Sequence, residues 1–280
     1  VAGVEFVKGH GTENDFVVLP DPDGVLELTV ERVRALCDRR RGLGADGVLR
    51  VTRAASVADA PADVAGERWF MDYRNADGSV AEMCGNGVRV FARYLLDAGL
   101  VEPGDLVVGT RAGERPVTTH EDGTVTVDMG PAKVFGHSTA TVGGRAFDGV
   151  AVDVGNPHLA CLVDGSVDDL DLTVPPGYDP VLFPHGVNVE FVQPVGAGML
   201  RMRVHERGVG ETRSCGTGTV AAVAAVLDLG GQAGGECIVD VPGGRVRVRV
   251  DEHTSTLTGP AVLLARGELD AAWWEALGGE

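Results

Sequence analysis

Two cysteines stand in matching glycine-rich frames, Met83-Cys84-Gly85-Asn86-Gly87 and Ser214-Cys215-Gly216-Thr217-Gly218. Each frame leads into a stretch with helical spacing, so each cysteine is expected at a helix N-terminus. There, unpaired backbone N–H groups and the helix dipole favour negative charge, and a thiol gains thiolate character. The neighbouring glycines let backbone N–H groups approach a ligand closely. Two such helix starts facing one cleft would form an anion site that suits a carboxylate. The α-carbon of that carboxylate would lie between two sulfurs. One, as thiolate, removes a proton; the other, as thiol, returns one to the opposite face. This chemistry needs both sulfurs within about 3–3.5 Å of the carbon. Two thiolates would repel, so a mixed thiol–thiolate pair is the expected resting state.

The elements that must position these groups are short and many. Forty-one glycines and 14 prolines punctuate the chain, which favours strands joined by tight turns. Strands are expected at Val4–Lys8, Asp15–Leu19, Gly47–Val51, Arg68–Arg74, Asp105–Thr110 and Thr124–Asp128. In the second half they are expected at Val150–Val154, Leu159–Val163, Gly186–Val192, Met199–Glu206, Glu236–Val241 and Arg245–Val250. Pro242-Gly243-Gly244 reads as the hairpin turn between the last two. Three helices stand out: Thr29–Arg41, Gly85–Ala98 stopping at Gly99, and Gly216–Leu229 stopping at Gly230, with left-handed glycines expected at both stops. The last is apolar all round and must be buried on every side. Ala54–Gly66 shows no period and reads as a surface insertion. Glu268–Glu280 reads as a terminal helix whose Trp273 and Trp274 need a surface to pack on.

The halves look duplicated. Asn75 lies nine residues before Cys84, and Glu206 nine before Cys215. Gly9-His10-Gly11-Thr12-Glu13-Asn14 in one half answers Gly155-Asn156-Pro157-His158 in the other. A pseudo-twofold pair of domains, each giving one cysteine, is the expected outcome. The boundaries fall at 1–127 and 128–265, with about 266–280 packing back on the first domain.

Composition narrows the function classes. A formal net charge of −17 over 280 residues would repel the phosphates of nucleic acid. No apolar stretch approaches the roughly 18 residues of a membrane span, and no secretory signal is visible. The five cysteines are an odd number, scattered and without CxxC. A disulfide framework or thiolate zinc site is therefore not expected, and a reducing, cytoplasmic setting is. Cys37, Cys161 and Cys237 have apolar surroundings and are assigned to the core. Gly42–Gly47 lacks the GK[ST] ending of a phosphate loop and is followed by a strand, so that reading fails. Arg207 could grip a carboxylate two ways. His10 and His158 are read as hydrogen-bonded loop histidines.

Taken together, the chain resembles the diaminopimelate epimerases. The matching stretches are Lys8–Phe16, Arg74–Ser79, Met83–Arg89, Gly155–His158, Gly186–Asn188, His205–Gly208 and Gly210–Gly218. The similarity runs in family order from about Phe6 to about Arg266. The resemblance implies an α+β fold of two similar domains, each a curved, mainly antiparallel sheet wrapped around a central helix. It implies interconversion of LL- and meso-2,6-diaminopimelate, in lysine and peptidoglycan precursor synthesis, with no cofactor and no metal. Cys84 and Cys215 match the acid/base pair. Gly85, Asn86, Gly216 and Thr217 match positions whose backbone N–H groups hold the reacting carboxylate. Asn75, Asn156, Asn188 and Arg207 match contacts to the distal end, and Asn14 and Glu206 match contacts near the amines. A homodimer is also implied. One departure is Gly47, where many members carry Gln. The alternatives are a two-cysteine proline racemase, a non-enzymatic binding protein of the same fold, and a redox or metal protein. The polar distal set argues against the first, since proline has no distal charge to bind.

Overall fold

The computed structural model describes residues 3–278. The chain divides into two compact units, one running to Val127 and resuming at Pro260, the other spanning Asp128–Gly259.

In the first unit β1 (Glu5–Gly11) and β2 (Asn14–Pro20) form a hairpin, followed by α1 (Val30–Cys37), β3 (Gly47–Arg53), β4 (Trp69–Asn75) and α2 (Gly85–Asp97). Next come β5 (Asp105–Thr110), β6 (Gly113–Thr119) and β7 (Thr124–Gly130), on which the chain leaves the unit. The second unit holds β8 (Lys133–Val142), β9 (Arg145–Asp153), β10 (Pro157–Leu162), β11 (Asn188–Gly196), β12 (Met199–Glu206) and β13 (Gly210–Thr212). Then follow α3 (Gly216–Leu229), β14 (Gly235–Val241), β15 (Gly244–Val250) and β16 (Ser255–Pro260). Back in the first unit, β17 (Val262–Glu268) pairs antiparallel with β1, and α4 (Ala271–Ala276) ends the described chain.

One pairing pattern is used twice. Strand β2 is antiparallel to β1 and parallel to β3; β3 is antiparallel to β4, which lies parallel to β5, with β6 and β7 following antiparallel. Strand β10 is antiparallel to β9 and parallel to β11; β11 is antiparallel to β12, which lies parallel to β14, with β15 and β16 following antiparallel. Strand β17 on β1 has its counterpart in β8 on β9. The α+β class and its duplication therefore stand as topology.

Each pattern carries one buried helix. In α3 the run Thr219–Ala225 is buried throughout and the helix rests on strands of its own unit, because small apolar side chains on all faces leave it no polar side to offer solvent. Helix α2 is buried over Gly85–Ala92 even though it carries Arg89. In the first unit a further cluster joins Val17, Leu19, Val33, Leu36 and Trp274, with the Arg32 guanidinium 4.5 Å above the Trp274 ring.

Several expectations need correction. The first helix ends at Cys37, not Arg41, because Asp38 turns its carboxylate back onto the N–H groups of Arg40 and Arg41 and stops the ladder. Strand β11 starts at Asn188, two residues later than expected, and runs on to Gly196. The left-handed glycine after α3 is Gly231, with φ +64°; Gly230 keeps a right-handed φ of −81°. Gly99 does take the left-handed form, at +67°. The segment after Ala54 is no featureless insertion: it forms a short 3-10 turn, and Ala54, Val57 and Val64 close over Phe70 in a small core. The end of the expected terminal helix, residues 279–280, lies outside the described residues. No helix among the described residues is long and apolar enough to cross a membrane.

Candidate active site

Cys84 and Cys215 cap α2 and α3 in the same way. Each has extended backbone angles, and each sulfur accepts the N–H of the glycine three residues on, at 3.4 Å from Gly87 and 3.4 Å from Gly218. The first helical bonds run from Val88 N–H to the Cys84 carbonyl and from Thr219 N–H to the Cys215 carbonyl. The helical ladders thus leave out the N–H groups of Gly85 and Asn86, and of Gly216 and Thr217. These donors, beside a sulfur and at the positive end of a helix dipole, suit a carboxylate.

The first half-site is built on the β1–β2 turn. Thr12 and Glu13 adopt left-handed φ angles of +50° and +61°, which cost side-chain-bearing residues energy and so need support. Arg89, wholly buried in α2, donates from Nη2 to the Thr12 hydroxyl at 3.0 Å and from Nε to the Pro260 carbonyl at 3.3 Å. Burial lowers its guanidinium to about 10, with the Cys84 charge working the other way. The turn presents Asn14, whose Oδ1 accepts from the Cys84 thiol at 3.6 Å and from Asn86 Nδ2 at 3.2 Å. Asn14 Nδ2 is tied in turn to Asp46 at 2.8 Å. His10 Nδ1 accepts the Glu13 N–H at 3.2 Å, but His10 itself lies in β1, paired with Asp15 and Val262, and not in the loop expected from the sequence. Asn75 ends β4, held by Ser79 Oγ at 3.0 Å. A Cβ at Gly47 would stand 2.6 Å from the Arg74 carbonyl oxygen, so glycine fits a close strand crossing and offers a ligand no side chain.

The second half-site is more charged. Cys215 is buried, with Thr217 Oγ1 3.5 Å from its sulfur. Asn188, at the start of β11, donates to the Pro157 carbonyl at 3.1 Å and accepts the Arg207 N–H at 3.0 Å. Glu206 ends β12 and accepts from the Thr212 hydroxyl. Arg207 is exposed and donates to the His185 carbonyl at 3.1 Å. Asn156 Oδ1 lies 3.0 Å from His158 Nε2. His158 is not the loop histidine expected from the sequence: it is fully buried in β10, and its Nδ1 is 2.7 Å from Oε1 of an equally buried Glu190. Sequence reasoning missed Glu190. The signal was there: a lone acid inside Val187-Asn188-Val189-Glu190-Phe191-Val192, on a strand that faces the core.

The helix start alone would depress the Cys215 thiol. Burial instead raises it well above its ordinary value, reinforced by the Glu206 and Glu190 carboxyls, and the Thr217 and Gly218 contacts do not offset them. Cys37, Cys161 and Cys237 are buried away from such frames; burial pushes the first two up to about 12, and they serve as core residues. No group of three or more metal-binding side chains occurs among the described residues.

The chain matches the family model described as diaminopimelate epimerase over residues 6–135 and 150–264. It is 57% identical to the diaminopimelate epimerase of Rhodococcus jostii (strain RHA1), covering 98% of this chain and 100% of that protein. It is 59% identical to the diaminopimelate epimerase of Mycolicibacterium smegmatis, covering 98% and 99%. Among solved structures, a Bacillus anthracis phenazine biosynthesis protein of the PhzF family aligns with a TM-score of 0.69 at 16% identity, over 96% of this chain and 100% of that one. A hydroxyproline epimerase from Agrobacterium vitis aligns at 0.67 with 17% identity, over 97% and 94%. At such identities these two speak for the fold alone.

Proposed function

The chain belongs to the diaminopimelate epimerase family, and from that premise we propose that it interconverts LL- and meso-2,6-diaminopimelate by a two-cysteine acid/base reaction. The observation that carries this is the repeated helix cap: a cysteine followed by a glycine-led helix start, once in each copy of the duplicated topology.

In the proposed reaction the substrate carboxylate sits on the N–H groups of Gly85, Asn86, Gly216 and Thr217. One sulfur, as thiolate, removes the α-proton. The developing charge spreads into the carboxylate, where the helix N-termini stabilise it as it grows. The other sulfur, as thiol, delivers its proton to the opposite face. The proton count is unchanged, and the two cysteines have exchanged roles for the reverse reaction. Asn75, Asn156, Asn188 and Arg207 are assigned to the distal carboxylate and ammonium, with Asn14 and Glu206 near the amines. Fixed donors and acceptors of this kind reject a substrate lacking the distal charges by large factors, which favours diaminopimelate over proline.

The test is to incubate the protein with LL-diaminopimelate in heavy water under reducing conditions. Deuterium at one α-carbon together with formation of the meso isomer is expected; well-folded protein that yields neither defeats the proposal. Cys84→Ala and Cys215→Ala should each cut turnover by about 10²–10⁴-fold or more while leaving the thermal melt near that of the parent. Near-normal turnover in either variant would remove that cysteine from the mechanism. The working form is proposed to be a cytoplasmic homodimer supplying lysine and peptidoglycan precursors, its oligomeric state to be read by analytical ultracentrifugation.

A further inference from the structure

The duplicated topology supplies an internal comparison for the environment of each cysteine. In the first unit Phe16 of β2 pairs in parallel with Gly47 of β3; in the second, His158 of β10 pairs with Asn188 of β11. Counting two residues along, Leu49 of β3 and Glu190 of β11 occupy the same place. Each faces the glycine that donates its N–H to the cysteine. A Cβ on Gly87 would meet Leu49 Cδ2 at 3.3 Å; one on Gly218 would meet Glu190 Oε1 at 2.7 Å. The apolar pair Phe16–Leu49 beside Cys84 thus becomes the ionisable pair His158–Glu190 beside Cys215.

That pair is costly to bury and has no role in the folding pattern, since its sister does without it. Both side chains are wholly buried, and Glu190 Oε2 has no hydrogen-bond partner. An orphaned carboxyl oxygen in a core needs a reason. With Nε2 of His158 donating to Asn156 Oδ1, the other proton of the pair lies between Nδ1 and Oε1. The carboxyl end of the pair is the end turned toward α3. Cys215 Sγ and Glu190 Oε1 lie 3.3 Å and 2.7 Å from a single point, the position of a Cβ on Gly218.

We propose that Glu190 is a positioning residue for the reaction at Cys215: held by His158 and turned onto the first turn of α3, it keeps Cys215 as the thiol in the resting enzyme and so leaves the thiolate role to Cys84. This rests on the two-cysteine reading above and adds the direction of the resting pair. The charged groups acting on Cys215 are Glu206 from β12 and Glu190 from β11; Thr217 Oγ1 and Gly218 N–H act the other way. Burial raises the Glu190 carboxyl itself, and Glu206 from β12 adds to this, while the contact with His158 from β10 works the other way and favours the carboxylate; the thiols of Cys161 and Cys215 also feel its charge. The raised thiol of Cys215 agrees with the arrangement. When Cys215 later loses its proton to the substrate carbon, the shared proton can pass from Nδ1 to Oε1. This breaks the N–H bond and forms the O–H bond, so the new thiolate does not face a carboxylate.

The test needs no substrate. Mixed-disulfide formation at Cys215 with a small thiosulfonate, in which the thiolate sulfur displaces a sulfinate, is followed against pH and read by mass spectrometry of its peptide. Glu190→Gln keeps the shape and loses the charge. The double variant Glu190→Leu with His158→Phe copies the sister pair and removes both buried ionisable groups together, giving up only the contact to the half-buried Asn156. Both should lower the pH midpoint of Cys215 by about one unit or more. Glu190→Asp, which keeps the charge, should stay within about half a unit of the parent. In turnover, Glu190→Gln should lower kcat by about tenfold with KM little changed. If either charge-free variant folds and keeps the parent midpoint, the proposal is overturned. It is also overturned if Glu190→Asp shifts the midpoint as far as the charge-free variants do. Failure of the epimerase reading would show separately, as absent deuterium uptake by the parent protein.

Discussion

Gly218 and Gly87 make the same bond to their cysteines yet differ in what surrounds them, and this separates packing from charge at single residues. A methyl at Gly218 would press on a buried, hydrogen-bonded carboxylate at 2.7 Å and on both Cβ and Sγ of Cys215 at 3.3 Å. Glu190 cannot swing aside without breaking its contact to His158. A methyl at Gly87 would meet Cys84 Cβ at 3.5 Å and Met71 at 3.6 Å, both ordinary contacts, and Leu49 at 3.3 Å, the end of a flexible apolar chain that can yield by tenths of an ångström. Gly218→Ala should therefore cost about 1–3 kcal/mol of stability and displace the sulfur, whereas Gly87→Ala should cost under about 1 kcal/mol. Thermal melts and turnover of the two variants check this, and equal effects would mean that the carboxylate does not confine Cys215.

At the scale of elements, the first half-site depends on an ion cluster that ties β1, β2 and the loop before β3. Asp15 takes the Lys8 ammonium at 2.5 Å and the Arg39 guanidinium at 2.8 Å, and Arg39 also reaches Asp46, which fixes Asn14. Burial alone would raise the Asp15 carboxyl, but the hydrogen bonds from Arg39 and Lys8 outweigh it and hold it at about 2. A carboxyl depressed on folding adds stability above its unfolded value, and that stability fades as the pH falls toward the folded one. The contribution should be complete above about pH 4 and be lost on going down to about pH 2. After allowance for partial exposure it amounts to about 1–2 kcal/mol. Asp15→Asn should lower stability by that amount at neutral pH and flatten the acid limb of a denaturation series. An unchanged acid limb would show that the cluster is too well solvated to matter.

The same scale explains what the sequence could and could not convey. Helices α2 and α3 were legible because glycine-led caps and apolar faces, unbroken in α3 and interrupted in α2 by Arg89, are local signals. The hairpin of β8 and β9 was largely missed because most residues of Lys133–Thr139 are exposed or half-buried, so the strand carries no apolar alternation. Its Gly143-Gly144 turn, with both φ angles positive, was the available clue. Strand β17 was missed for the same reason, being exposed along most of its length. Charged core residues are a harder case. Arg89 and Glu190 sit in buried elements, and only their intrusion into apolar patterns hints that a long-range partner waits for them.

At the scale of the whole molecule, duplication and divergence do separate work. A reversible two-base reaction needs two equivalent sulfurs, which a repeated strand–helix pattern supplies at the cost of one invention. It also needs the pair to rest in unlike protonation states, and identical copies would share a single proton without preference. In the proposal above, the exchange of Phe16–Leu49 for His158–Glu190 at matching register positions is what removes that degeneracy. The proposed mechanism carries a liability of its own. If both sulfurs reach one carbon, then without substrate they can reach each other. Peroxide should convert the thiolate to sulfenic acid, which the neighbouring thiol condenses with to form a Cys84–Cys215 disulfide, releasing water. Activity should fall in step with that cross-link and return with a thiol reductant, while bound substrate should slow the loss. Cys37, Cys161 and Cys237, buried as core thiols, should stay reduced over the same interval. Peptide mapping of the oxidised protein decides the matter: full activity after prolonged peroxide, or cross-links formed only by the other three cysteines, would mean that Cys84 and Cys215 do not serve one carbon.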